Sequence, residues 1–200
     1  MFELPFDVEI VDAATDQFVC AKMVELTREL ASLLDSTWWV INVGKTRRRE
    51  EKDHAWRWVK VIGEQRKWEG DAYQAIAIQS LDGEIQGAAS YWINRQSYLE
   101  PEKGAVELDR IAIAPRNRRN LCEPRGYKGV GFPLLFSVIR HSYLLGLQGR
   151  VRLESVDDPE THRFYQTNGF QVIMEDEGFL SFEIPKEAAI ALLQEEGFPT

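Results

Sequence analysis

Cysteine is nearly absent: Cys20 and Cys122 are the only two in 200 residues, far apart and in no Cys-x-x-Cys arrangement. That indicates neither a disulfide framework nor a thiolate zinc site, and both read as reduced thiols. Histidine is almost as scarce. His54, His141 and His162 are scattered without metal-ligand spacing, and there is no Gly-x-Ser-x-Gly elbow or paired cysteine and histidine. Metalloenzyme and hydrolase readings therefore have no support. No apolar run approaches the roughly 18 residues that span a membrane. Met1-Phe2-Glu3-Leu4-Pro5 lacks the basic start of a signal peptide, so the expected compartment is the cytoplasm. Positive charge is also short, with 24 Lys and Arg against 32 Asp and Glu for a net charge of -8. A chain this acidic lacks the field that non-specific nucleic-acid binding requires, and no nucleic acid is expected as a partner. Internal repeats and low-complexity segments are missing too.

What is present is an ordinary globular composition, 44% hydrophobic and 28% charged, at a length that suits one domain over residues 1–200. Phe6 to Val11 alternates apolar and acidic residues, the period of a strand. From Ala14 to Leu34, Phe18, Met23, Leu26, Leu30 and Leu33-Leu34 predict one amphipathic helix, with Thr15 or Asp16 as N-cap. The pair Trp38-Trp39, followed by Val40-Ile41, either lines a pocket or plugs the core. Lys45-Thr46-Arg47-Arg48-Arg49 is neutralised by Glu50-Glu51-Lys52-Asp53 and reads as a solvated loop or helix end. His54 to Arg66 predicts a second helix. Ala72 to Gln79 and Ile85 to Ile93, around Asp82-Gly83, predict a hairpin.

Val106-Glu107-Leu108-Asp109-Arg110-Ile111-Ala112-Ile113-Ala114 predicts a central strand that Pro115 ends. Arg125-Gly126-Tyr127-Lys128-Gly129-Val130-Gly131 then opens a broadly apolar helix from Phe132 to Leu147, with Pro133 in its first turn. Strand, glycine loop and helix together suit an anion: glycines expose backbone N–H groups, and the helix start adds its positive dipole end. Arg116, Arg118, Arg119, Arg125 and Lys128 concentrate positive charge there, which points to cofactor phosphates. The loop is not a Walker A sequence, because Phe132-Pro133 follows Gly131. Nor is it a dinucleotide fingerprint, because no third glycine stands near Leu134. Val151 to Val156 predicts a strand, Asp158 with Pro159 starts a short helix that Gly169 ends, and a hairpin and a helix from Lys186 to Glu195 follow. The alternation gives an α/β fold with a mixed sheet.

The glycine spacing resembles that of the GNAT superfamily of N-acetyltransferases, in which a strand ending near a proline is followed by Gln/Arg-x-x-Gly-x-Gly/Ala at a helix start. Gly126 occupies the Gln/Arg position, Arg125 sits one residue early, and the loop from Arg116 to Arg125 is longer than the family usually carries. Asp158-Pro159-Glu160-Thr161-His162-Arg163-Phe164-Tyr165-Gln166-Thr167-Asn168-Gly169-Phe170 resembles the family's Asn-x-x-Ala-x-x-Phe-Tyr-x-x-x-Gly-Phe segment, in order and at the right distance. The resemblance covers roughly Ala72 to Phe182.

The resemblance implies a GNAT-like α/β fold with a mixed, mainly antiparallel central sheet flanked by helices. It implies acetyl-CoA as acyl donor, held by the backbone of Ile111, Ala112 and Ile113, by the glycine loop from Arg125 to Gly131, and by Asp158, which replaces the family's asparagine and suits a helix cap equally well. Glu107 falls where several members carry a catalytic base, and strand alternation puts it on one face with Asp109; its other reading is a surface carboxylate. Tyr165 falls on the family's tyrosine and is the candidate acid, or a core tyrosine anchoring its helix. The Trp38-Trp39 region borders the acceptor site in the family. A small-molecule or peptide amine acceptor follows, with a homodimer as a further expectation. The rival is a non-catalytic acyl-CoA sensor or interaction module on the same fold.

Overall fold

The computed structural model describes residues 3–40, 51–156, 158–176 and 178–200. Among them, nine strands form one sheet in the order β6-β1-β2-β3-β4-β5-β7-β9-β8. They are β1 (Phe6–Asp12), β2 (Phe18–Glu25), β3 (Tyr73–Ser80), β4 (Ile85–Gln96), β5 (Gly104–Ile113), β6 (Tyr127–Lys128), β7 (Val151–Val156), β8 (Gln171–Asp176) and β9 (Phe179–Ile184). The helices are α1 (Arg28–Thr37), α2 (Trp58–Glu69), α3 (Gly131–Ser142), α4 (Pro159–Thr167) and α5 (Lys186–Glu195). β5 and β7 pair in parallel over Val106–Leu108 against Val151–Leu153. β1 with β2, β2 with β3, β7 with β9 and β8 with β9 are antiparallel. This is the mixed, mainly antiparallel α/β sheet flanked by helices that the resemblance implies.

The chain divides into two compact units, Glu3–Ser90 with Arg110–Leu135 and Tyr91–Asp109 with Phe136–Thr200. In the first, the helix expected from Ala14 to Leu34 is replaced by a strand and a shorter helix. Asp12 Oδ1 accepts from the N–H groups of Ala14 and Thr15, and Asp16 takes a positive φ of 56°, so these residues turn a hairpin instead of capping a helix. Ala21 and Met23 then alternate inward at the period of a strand. The helix starts only after Thr27, whose hydroxyl accepts from Leu30 N–H at 3.3 Å.

The second helix begins at Trp58, four residues later than expected, because its cap comes from elsewhere: Asp35 of α1 accepts from Trp58 and Val59 N–H at 2.8 and 3.1 Å. Trp38 and Trp39, 5% and 9% exposed, pack in the core with Trp58, Ile62, Ala88 and Ala112. Trp38 also donates its indole N–H to the Ile85 carbonyl. Of the pocket and core readings, these two rings follow the core one. The basic run from Lys45 to Arg49, with Ile41, lies outside the described residues.

In the second unit, expectation and structure agree more closely. Asp158 caps α4 by accepting from Thr161 N–H at 2.8 Å, Pro159 is its first residue, and Gly169 leaves it at a φ of +86°. Gly149 is required by close approach, since a Cβ there would lie 2.7 Å from Ala189 Cβ of α5. The helix expected to run to Leu147 ends at Ser142 and widens into one looser turn over Tyr143–Leu147, closed by Gly146 at a φ of +79°.

Candidate functional site

The first unit carries the glycine loop and the end of β5. The loop is a short strand as well as a turn, because Tyr127 and Lys128 pair with Asp12 and Val11 of β1. Its entry is pinned by one buried amide, Asn117. The Asn117 Nδ2 donates to the carbonyl and side-chain oxygens of Gln86 at 3.3 and 3.0 Å, and its Oδ1 accepts from Tyr127 N–H at 3.0 Å. A Cβ on residue 126 would lie 2.9 Å from that Oδ1, so a side chain there would press on the bridging amide.

Pinning consumes donors. The Gly126 N–H goes to the Arg116 carbonyl, and the Tyr127 N–H goes to Asn117. Among the described residues, no acceptor is seen for the N–H groups of Gly129, Val130 and Gly131, which lead directly into α3. Gly129 has a φ of +71° and open space where a side chain would be. Three backbone donors thus stand at the positive end of a twelve-residue helix, where an anion is favoured. Val130 and Leu134 reach this position because Gly87 of β4 has no side chain; a Cβ there would lie 2.8 and 2.9 Å from them.

The basic cluster is largely neutralised within the protein. Arg116 pairs with Glu84, Lys128 with Asp16, and Arg118 with both Glu51 and Asp53. Burial works to lower the Arg118 pKa, but hydrogen bonds and charge from Asp53 and Glu51 outweigh it and leave it raised. Arg119 and Arg125 have no acidic partner among the described residues. On β5, Ala114 N–H donates to the Gln86 carbonyl and a Cβ on Gly87 of β4 would lie 3.3 Å from the Ala112 carbonyl, so Ala112 and Ala114 face β4 and local alternation turns Ile111 and Ile113 to the other edge. The Ile113 carbonyl accepts from Arg118 Nε and Nη2 at 3.0 and 2.7 Å.

Glu107, Asp158 and Tyr165 belong to the second unit. Glu107 is not a lone carboxylate: Arg152 Nε donates to its Oε2 at 2.7 Å, and Arg152 Nη2 adds a second bond to the same oxygen. Arg152 also donates to the Gln96 carbonyl and lies 4.3 Å from the Tyr98 ring centroid. The Tyr98 N–H in turn donates to Glu183, a fully buried carboxylate that also takes the Ser97 hydroxyl and Leu99 N–H. Sequence reading missed Arg152 because strand-to-strand pairing across 45 residues leaves no local signal.

Tyr165 is 4% exposed, with ring centroids of Phe164, Phe170 and Phe182 at 5.4 to 5.6 Å. Burial raises its pKa well above the usual phenol range. No hydrogen bond to its hydroxyl is seen among the described residues, so the ring is core material and the hydroxyl retains donor capacity. The Thr161 hydroxyl, donating to Asp158, holds that carboxyl below its ordinary pKa. Among the described residues no group of His, Cys, Asp and Glu could hold a metal, and no helix is long and apolar enough to cross a membrane.

No protein-family profile and no curated protein sequence matches this chain. Solved structures do match its fold. A spermidine N-acetyltransferase, the SpeG K23-Q34 chimera from Vibrio cholerae and hSSAT, superposes with a TM-score of 0.57 at 14% identity, covering 85% of this chain and 98% of the other. The GNAT domain of PAT from S. lividans gives 0.59 at 14% identity, covering 88% and 95%. Apo FdhC, a nucleotide-linked sugar GNAT, gives 0.61 at 10% identity, covering 97% and 98%.

Proposed function

We propose that this chain, which has the fold of the GNAT acetyltransferases, is a single-domain cytoplasmic N-acetyltransferase that uses acetyl-CoA to acylate a primary amine. The observation that carries the reading is the set of N–H groups at Gly129, Val130 and Gly131, at the start of α3, for which no acceptor is seen among the described residues. Those groups, with the Arg125 side chain and the open face at Gly129, would hold the cofactor's pyrophosphate. The edge of β5 at Ile111 and Ile113 would receive its amide-bearing arm, with Ala112 as the small residue between them. Asp158 would contribute through its cap of α4.

When bound, acetyl-CoA supplies a thioester whose carbonyl carbon takes the amine as the carbon–sulfur bond breaks. This chain's residues would manage the protons. Glu107 Oε2 is held by Arg152, so Oε1 is the oxygen left to accept a proton from the acceptor ammonium, directly or through water. The Tyr165 hydroxyl would donate to the departing thiolate, its high pKa making it a hydrogen-bond donor first and a proton donor only to a strongly basic sulfur.

The fold does not choose the acceptor. Its structural neighbours include a spermidine acetyltransferase and a nucleotide-linked sugar GNAT, and either a small amine or a peptide amine fits this reading. A sensor without turnover is the second reading, favoured by one observation: the candidate base is already ion-paired. Calorimetric titration with acetyl-CoA, CoA and ATP tests the cofactor, and free-thiol release across an amine panel tests the transfer. Micromolar acetyl-CoA binding with thiol release supports the enzyme, binding without release selects the sensor, and no binding removes both.

A further inference from the structure

Arg118 stands in the basic cluster beside the glycine loop, yet its guanidinium is occupied by protein on every nitrogen. Nε and Nη2 hold the Ile113 carbonyl, Nη1 and Nη2 hold both oxygens of Asp53, and Nη1 reaches Glu51 Oε2 at 2.5 Å. Asn120 Nδ2 takes the other oxygen of Glu51 at 2.6 Å. The three charged side chains are only 12%, 9% and 14% exposed, so this is a built junction and not a solvated loop. It ties the segment leading to Trp56 and Trp58 to the last residue of β5.

A strand edge receives an extended ligand through alternate N–H and C=O groups. On β5 those groups belong to Ile111 and Ile113, and Arg118 has taken one of the four. We propose that Arg118 is a positioning residue for the acyl carrier: it withdraws the Ile113 carbonyl from the ligand and fixes the edge on which the Ile111 N–H, Ile111 C=O and Ile113 N–H receive the carrier's amides. The proposal rests on the acyl-CoA reading above. A planar fork is needed for this, because one guanidinium can serve a carbonyl and two carboxylates at once while an ammonium has a single centre.

The test compares two ligands on the full chain by calorimetry: CoA, and 3′-phosphoadenosine 5′-diphosphate, which keeps the phosphates and lacks the amide-bearing arm. Arg118→Lys is expected to weaken CoA about tenfold and the fragment less than twofold, since only the arm meets the altered edge. Asp53→Asn, which leaves the Ile113 contacts in place, is expected to keep CoA within about threefold. Equal losses for both ligands would mean that Arg118 is merely structural, and no loss would mean that it is irrelevant; either overturns the proposal. Should Arg118→Lys fail to fold, the unmodified protein decides. Hydrogen exchange at the Arg118 Nε–H should stay slow with CoA bound, and release of that proton on binding overturns the proposal. If the unmodified protein binds neither ligand, the acyl-CoA reading itself fails and this inference falls with it.

Discussion

Around the glycine loop, backbone is positioned by polar side chains: Asn117 bridges Gln86 to Tyr127, and Arg118 joins Ile113 to Glu51 and Asp53. Around Tyr165, position comes from aromatic packing on Phe164, Phe170 and Phe182, with a single cap at Asp158. The two regions respond to damage differently. A buried polar bridge fails all at once, because deleting one partner leaves another unsatisfied. An apolar cluster loses stability in proportion to the volume removed. Glu107 follows the polar pattern although it belongs to the second unit, so the division tracks chemistry and not the unit boundary.

The largest expected effect tests whether the Glu107–Arg152 pair is catalytic or only structural. Glu107→Gln should lower thiol release about 10²- to 10⁴-fold while acetyl-CoA affinity measured by calorimetry stays within about twofold. Unchanged turnover would return Glu107 to the role of a sheet carboxylate.

The next effect probes a buried polar pair of the second unit. Burial lowers the His141 imidazole from 6.5 to about 4, and its Nδ1 lies 3.0 Å from the Tyr91 hydroxyl. The unfolded chain therefore binds more protons than the folded one between those values. Stability is fully present above pH about 6.5 and is lost as pH falls towards about 4, by roughly 2 kcal/mol after allowance for solvent screening. Denaturant titrations at a series of pH values should show this slope in the native chain and a flatter one in His141→Gln.

Asn117→Ala sharpens the contrast. It strands the Tyr127 N–H and the Gln86 side chain, so a loss of about 1–3 kcal/mol in unfolding free energy is expected, together with weaker acetyl-CoA binding. Tyr165→Phe, by comparison, keeps the packing and should cost less than about 1 kcal/mol by the same measurement. If both variants melt alike, the polar and apolar regions are not distinct in the way proposed. Smallest of all, Lys128→Ala should leave acetyl-CoA affinity within about twofold and stability within about 1 kcal/mol, because its ammonium pairs with Asp16 at the surface. A tenfold loss of affinity would show instead that Lys128 leaves Asp16 for the cofactor.

Short-range patterns in the chain determined much of this protein. Period-two alternation placed the first strand at Phe6, Asp158-Pro159 with Gly169 delimited α4, and the glycine spacing up to Gly131 placed the start of α3. These are legible because each rests on contacts within a few residues. Tertiary structure decided the rest. Whether Phe18 to Glu25 is strand or helix was settled by pairing with β1 and β3, since apolar spacing there fits either period. The start of α2 depended on Asp35, 23 residues earlier, and the charge of the basic cluster depended on Glu51, Asp53, Glu84 and Asp16 arriving from distant segments. A charged side chain carries its sign in the sequence, but its partner is chosen by which segments the folded backbone brings within hydrogen-bonding reach.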